Sequence, residues 1–279
     1  MDPEIVKILI CPHCGDPVRE LGGSLVCSNN HTANIARQGY ASLLGRDSGT
    51  HTADSAEMIA ARERFLSGAG FDPLIDAVAS AVAAPGIEEV DGVIVDLGAG
   101  SGRYLAVSLD SAPERYGLGV DNSKFAARRS AKCHQRAEAI VADIWDGIPV
   151  RSGAAAVLIN VFAPRNAEEM ERLLAGGGRL VVVTPNQKHL CELIEAFGMI
   201  GVDPAKSERL DSSLGNLSQT LVGRDLSWEM ELGPEGIRDL VEMGPSAGRL
   251  DPADLQQRIE QLDEKTAVTA SVRIHVSES

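Results

Sequence analysis

The chain has no apolar run approaching the roughly 18–20 residues that cross a bilayer, so a helical membrane span is not expected. Its opening residues, MDPEIVKILICPHC, lack the basic start, the longer apolar stretch and the small-residue cleavage site of a secretory leader. Cysteine is scarce, at 5 in 279 residues, and most of it is clustered early, at Cys11, Cys14 and Cys27. That argues against a disulfide framework and for a reducing compartment. There is no internal repeat and no low-complexity tract. A basic excess is also missing, with 26 Lys and Arg against 40 Asp and Glu for a formal net charge of −14. Nucleic-acid binders are usually basic. The acidity is uneven, however: residues 1–46 and 92–199 are each balanced, and the excess lies in 47–91 and 200–279. Polyanion binding needs a local basic face rather than a basic total, so the charge weakens such a role without excluding it. A cytoplasmic protein without membrane contact is expected.

What is present is ordinary for a globular chain, 44% hydrophobic and 24% charged, and long enough for a large domain plus a smaller one. A short module is expected over residues 1–46, a linker with two helices over 47–91, and a larger domain over 92–279. The polar stretch 45–55 reads as a loop, after which Asp54 or Ser55 caps a helix from Ala56; a second helix covers Pro73–Ala84. Strands are expected at Val93–Leu97, Tyr116–Val120, Glu138–Ala142, Ala155–Val161 and Arg179–Thr184, with helices near 102–110, 123–134, 166–174 and 187–198. Alternation of this kind predicts an α/β domain with a parallel sheet covered on both faces. Beyond 200, strand segments near 217–232, helices near 234–242 and 251–262, and a strand at Ala267–Val276 suggest an antiparallel pair finishing the sheet.

Cys11-x2-Cys14-x12-Cys27-x3-His31 offers three thiolates and one imidazole, a complete tetrahedral set for Zn²⁺. Gly15, Gly22 and Gly23 allow the tight reversals of a knuckle. Four protein ligands leave no open position for a water nucleophile, so the ion is structural. So short a module, with few large apolar side chains, needs the metal to fold. His13 reads as an exposed neighbour. Arg37, Gln38 and Tyr40 suit a nucleic-acid contact, or Tyr40, Leu43 and Leu44 dock the module on the larger domain.

In VIVDLGAGSGRYLA a strand ends in Asp96, then Gly98, Gly100, Ser101 and Gly102 open a helix. Glycine lets the backbone approach a ligand, and a helix N-terminus favours a carboxylate or phosphate. The spacing is G-x-G-x-G, not the dinucleotide G-x-G-x-x-G. Asp121 ends the next strand, where a carboxylate can accept from ribose hydroxyls. Asp143 follows the third strand and faces an adenine amino group. This ordered set favours S-adenosylmethionine over NAD. Trp145 flanks that adenine or packs in the core.

With these residues in hand, the chain resembles the 23S rRNA (guanine-N1)-methyltransferase family, including its Gram-positive branch associated with tylosin resistance. The likeness runs through CPHC…CSNNH, ARQGYASLL, DSAEMIAARERFLSGAGFDPL, VDLGAGSG, NVFAPRN, VTPNQKHLCEL and EMGPSAG. It implies a class I, Rossmann-like S-adenosylmethionine-dependent methyltransferase domain behind a small zinc-binding domain. By motif match it places zinc on Cys11, Cys14, Cys27 and His31, and cofactor contacts on Phe71, Gly100, Ser101 and His189. It also implies a homodimer framing a cleft for a hairpin of 23S rRNA, and protection against macrolides. One departure is Gly248, which stands in MGPSAGRL where the family pattern carries a tryptophan.

Methyl transfer from a sulfonium needs in-line alignment, and guanine N1 must lose its proton before it can attack. Asn160, at the end of the fourth strand, is placed to hold the acceptor, or it caps the region of Asn166. Arg165 suits a phosphate or a base. Asp54 is the nearest candidate proton acceptor, or only a helix cap. Lys124, Arg128, Arg129, Lys132 and Arg136 would line one side of a helix, as a phosphate track or as a solvated face. Cys133 and Cys191 read as inert packing residues. Two other functions stay open, a methyltransferase of the same ancestry acting on a small metabolite and a non-catalytic binding protein that keeps the cofactor fold.

Overall fold

The computed structural model describes residues 1–45, 52–201, 214, 217 and 220–277. Much of the linker expected at 45–55 thus lies outside the described residues. In chain order the elements begin with α1 (Pro3–Val6), β1 (Val18–Leu21), β2 (Ser24–Cys27), β3 (Thr32–Asn34) and β4 (Tyr40–Ser42). There follow α2 (Ala56–Ser67), α3 (Asp72–Val82), β5 (Val93–Leu97), α4 (Arg103–Ser111), β6 (Gly117–Asp121), α5 (Lys124–Ser130) and β7 (Ala137–Val141). The rest are β8 (Ala155–Val161), α6 (Ala167–Leu173), β9 (Leu174–Pro185), α7 (Cys191–Phe197), β10 (Leu221–Leu232), α8 (Pro234–Glu242), α9 (Pro252–Ile259) and β11 (Thr266–Ser277).

The large sheet runs β10-β11-β9-β8-β5-β6-β7-β4. Its members pair in parallel except β11, which is antiparallel to both β9 and β10. Strand order reverses on either side of β5, between β6 and β8. In open sheets of this kind the ligand crevice lies at such a reversal, beyond the carboxyl ends of the strands.

Alternate strand residues serve opposite cores because successive side chains leave a strand on opposite faces. Ile94, Ile159, Val181 and Val183 pack with Leu74 and Val78 of α3 and Leu105 and Leu109 of α4. Val93, Val95, Leu158, Leu180 and Val182 pack on the other side with Met170 and Leu173 of α6. Apolar burial on both faces is why these strands read as continuous hydrophobic runs.

The module at residues 1–46 is part of this architecture. β4 is the edge strand of the large sheet, with Tyr40, Ala41 and Ser42 paired to Ala139, Ile140 and Val141. Ile5, Leu9, Leu25, Ala41 and Leu43 belong to the second core. Tyr40 and Leu44 pack on Ala127, Ala139 and Val141, which is the docking alternative for that stretch.

Two local expectations are corrected and two open alternatives are decided. α5 ends at Ser130 rather than near 134, because the chain turns to bring Cys133 against the start of α4. Lys132 and Arg136 are therefore off the helix. The Arg136 guanidinium instead donates to the carbonyls of Leu109, Ala112 and Arg115, satisfying the end of α4. Cys191 is exposed on the first turn of α7, whereas Cys133 is half-buried with its thiol pushed up to about 12 by burial. Of the candidate caps, Ser55 takes the role for α2, accepting from the Met58 N–H at 3.2 Å. Asn166 itself caps α6, through the Glu169 N–H at 3.3 Å.

Candidate active site and metal centre

The Gly22–Gly23 turn, with φ of 58° and 78°, folds β1 back on β2 with a geometry that side-chain-bearing residues resist. This hairpin brings Cys27 and His31 opposite the turn holding Cys11 and Cys14. The four ligand atoms all lie within 4.8 Å of one another. Cys11 Sγ is 3.4 Å and Cys27 Sγ 3.5 Å from His31 Nδ1, and the Cys14 and Cys27 sulfurs are 3.7 Å apart. The His13 N–H lies 3.4 Å from the Cys11 sulfur, a donor suited to a thiolate, while the His13 ring stays exposed. Cys14 is lowered to about 6, first by the Asn29 side chain and then by the Asp16 N–H. Three sulfurs and one imidazole at these separations are the donor set of a closed zinc site. One tetrahedral ion fits these residues.

The second site forms at the carboxyl ends of β5, β6, β7 and β8. Gly98, Gly100 and Gly102 have φ of 80°, 54° and 82°. Their missing side chains matter as much as their angles. A Cβ on Gly98 would collide with Ala163, one on Gly100 would lie 2.9 Å from Arg62 Nη1, and one on Gly102 would lie 2.8 Å from Cys133. The turn is tied to β6 by the Gly98 and Ala99 N–H groups, which donate to the Val120 carbonyl at 2.8 and 3.1 Å. The Gly100 N–H donates to Asp121 Oδ2 at 2.9 Å, and Asp121 Oδ1 accepts from the Ser123 N–H at 2.8 Å. A carboxylate has about four acceptor positions, so Asp121 keeps capacity for hydroxyl donors.

Asp96 is 2% exposed and its Oδ2 has no partner. Burial, reinforced by the charge of Asp121, pushes its carboxyl up to about 7. Asp143 is buried and accepts from the backbone N–H of Trp145 at 3.0 Å, while Trp145 is 49% exposed. Ser101 is half-buried in the turn.

Asn160 is 0% exposed. Its Nδ2 donates to the Leu97 carbonyl at 3.3 Å and the Pro164 carbonyl at 3.0 Å, bracing the glycine turn against the loop after β8. Its Oδ1 is buried without a partner. Arg165 is half-buried, its Nε has no partner, and burial holds the guanidinium below its usual value. Asp54 lies at the entry to α2, where its Oδ2 is 2.7 Å from Arg62 Nη1 and its carbonyl accepts from Ser123 Oγ at 2.7 Å.

His189 lies in the turn before α7, not in the helix expected from 187, and the next residue, Leu190, has a φ of 55°. Its Nδ1 accepts from the Ser271 N–H at 3.2 Å, and burial lowers its imidazole to about 4. The ring is therefore neutral near pH 7. It stands 6.1 Å from the Phe71 ring and 5.4 Å from that of Phe162. Phe71 is fully buried, with Phe65 and Trp228 around it. The accessible aromatic of this group is Phe162, 40% exposed with a φ of 54°, which the sequence reading missed. An aromatic two residues beyond a buried strand-end asparagine was its only signal.

An unpartnered buried carboxylate oxygen, a turn that excludes side chains, and acids ending three successive strands suit a ligand with hydroxyl, amino and ammonium donors. S-adenosylmethionine has that set, and these residues fit it.

Residues 9–46 match the N-terminal zinc ribbon of RlmA. Over 98% of its length the chain is 43% identical to a protein of Micromonospora griseorubida named as a 23S rRNA (guanine-N1)-methyltransferase, 98% of which is covered. It is 40% identical, over 99% of its length and 98% of the relative, to the 23S rRNA (guanine(748)-N1)-methyltransferase of Streptomyces fradiae. This chain belongs to the 23S rRNA (guanine-N1)-methyltransferase family. The match spans the zinc ribbon and the methyltransferase sheet alike. A solved structure of the plantazolicin methyltransferase BpumL, in complex with a monoazolic desmethylPZN analog and SAH, is 15% identical and overlaps 79% of this chain and 90% of that one, at a TM-score of 0.45. Among the described residues no single helix is long and apolar enough to cross a membrane.

Proposed function

We propose that this protein transfers the methyl group of S-adenosylmethionine to N1 of a guanine in 23S ribosomal RNA in the cytoplasm. The observation that carries this reading is the end-to-end kinship with enzymes named for that reaction, joined to a strand-end cradle in which the buried Asp96 Oδ2 has no partner and suits the donor. When bound, the donor supplies an electrophilic methyl on a sulfonium. Asp96, Gly98, Gly100, Ser101, Gly102, Asp121, Asp143, Phe71 and His189 would hold it. Asn160 fixes the two loops between which the acceptor enters, rather than reaching it directly. Arg165, with no acidic partner among the described residues, takes a phosphate or the base. Guanine N1 carries a proton, and Asp54, whose Oδ2 is held by Arg62, receives it on its other carboxylate oxygen. The zinc ribbon and the face of α5 present a hairpin of the RNA, and two copies of the chain complete the cleft. Macrolide protection follows if the guanine lies in the peptide exit tunnel.

The test is to map methylation on ribosomal RNA with and without the protein. A methyl group on N1 blocks base pairing, so reverse transcription stops at the modified guanine. A new stop at one guanine is the expected result. Donor uptake without any RNA modification would overturn the acceptor assignment.

A further inference from the structure

Arg62 is half-buried on α2, and the sequence reading gave it no role. Its guanidinium lies against the middle glycine of the donor turn. A Cβ on Gly100 would stand 2.9 Å from its Nη1 and 3.2 Å from its Cδ. Two contacts fix the fork in that position. Nη1 is 2.7 Å from Asp54 Oδ2, and Nη2 donates to the Met243 carbonyl at 2.9 Å. The Gly100 N–H on the same turn is held by Asp121. The charge of Arg62 reaches the site as well, since it opposes the upward push that burial gives Asp121.

A guanidinium carries five N–H donors in a planar fork. Among the described residues the two contacts engage two of them and leave three. The acids of the crevice, Asp96, Asp121 and Asp143, answer the donating groups of an adenosyl amino acid. None of them can answer its α-carboxylate, which needs a cation or N–H donors. Arg62 is a cation already seated where that turn has no side chain.

We propose that Arg62 is the residue that binds the α-carboxylate of the methyl donor, with Asp54 and the Met243 carbonyl presenting its fork to the glycine turn. This assignment rests on the donor reading above. It also explains why the helix carrying Arg62 is tied both to the glycine turn and to the EMGPSAG segment. Filling the site with an anion would add a third anchor to that arrangement. Phe65, on the same face one turn later, packs on Phe71, so the helix is held at both ends of the crevice.

Binding calorimetry with two probes tests the assignment. One is S-adenosylhomocysteine, which has the carboxylate. The other is S-adenosyl-3-thiopropylamine, which keeps the amine and lacks the carboxylate. The unaltered protein is expected to prefer the first by about 10- to 100-fold, the range of a charge-assisted hydrogen-bond pair. In Arg62→Met that preference is expected to disappear: affinity for S-adenosylhomocysteine falls while affinity for the amine holds. Arg62→Lys, which keeps the charge without the fork, is expected to retain part of it and serves should the Met variant fold poorly. Equal weakening of both probes, or an unchanged preference in both variants, overturns the assignment of Arg62 alone. Failure of the unaltered protein to bind either probe overturns the donor reading, and this assignment with it.

Discussion

The Gly100 N–H donates to Asp121 Oδ2 at 2.9 Å, closing the glycine turn onto the acid that ends the next strand. The other oxygen of Asp121 accepts from the Ser123 N–H at 2.8 Å, so one side chain sets the entries of two loops. Asp121→Ala leaves both N–H groups without their acceptor. The expected loss is about 2–4 kcal/mol of stability, from two bonds to a charged acceptor. Asp121→Asn can accept on one oxygen only and should recover about half. Urea midpoints of the two variants check this, and equal stability in both would contradict it.

Gly98 and Ala163 are the second contact between loops, since a Cβ on Gly98 would overlap that of Ala163. Gly98→Ala is expected to cost about 1–3 kcal/mol from overpacking, with a further cost from its φ of 80°. Adding Ala163→Gly should relieve the overlap but not the backbone strain. The double variant is therefore expected between the single Gly98→Ala variant and the unaltered protein in thermal midpoint. A double variant no more stable than Gly98→Ala would show that the two loops do not press on each other there.

Asp96 makes stability depend on pH in a direction opposite to the usual carboxylate. Burial, then Asp121, raises its carboxyl to about 7, against about 4 in an unfolded chain. The folded protein thus binds this proton more tightly. Its contribution is fully present below about pH 4 and is lost as pH rises through 7. Asp96→Asn removes that dependence. Denaturation midpoints between pH 5 and 8 should decline less steeply in the variant than in the unaltered protein. Parallel curves would show that Asp96 does not titrate in this window.

Removal of zinc is expected to destabilise more than the ribbon. Ile5, Leu9, Leu25, Ala41 and Leu43 are shared with the sheet core, and each fully buried Leu or Ile contributes about 1.5–3 kcal/mol. A chelator, or Cys27→Ser, should lower the melting temperature of the whole chain in one transition and release one zinc per chain. Two separated transitions would mean that the ribbon unfolds alone.

On the outer side of α5, Lys124, Phe125 and Arg128 are exposed, as is Lys132 in the turn that follows, while Arg129 is 3.2 Å from Glu63. Charge reversal at Arg128 and Lys132 is expected to weaken RNA binding and flatten its salt dependence, because fewer counterions are released. The same reversal at Arg136 should instead lower stability, because its guanidinium caps α4. An unchanged salt slope in the Arg128 and Lys132 variant would remove this face from the RNA surface.

The amino-acid sequence determined what lies within single segments. Residues two to four apart along a turn are held together by bond geometry, so the Cys11–Cys14 and Cys27–His31 pairs were legible from spacing. The glycine turn with its flanking strand and helix is likewise one local unit, and its pattern separated this donor from a dinucleotide. Apolar runs marked the strands because both faces of the sheet are covered. Tertiary packing decided the rest. No spacing brings Arg62 to Gly100, or gathers Phe71, Phe162, His189 and Trp228 from four distant segments into one cluster. The regular stripe through Arg136 was read as a helix face, yet burial of Cys133 turned the chain and gave Arg136 to the end of α4. Local geometry is set by bonds a few residues long, whereas these contacts depend on which surfaces the whole chain can bury together.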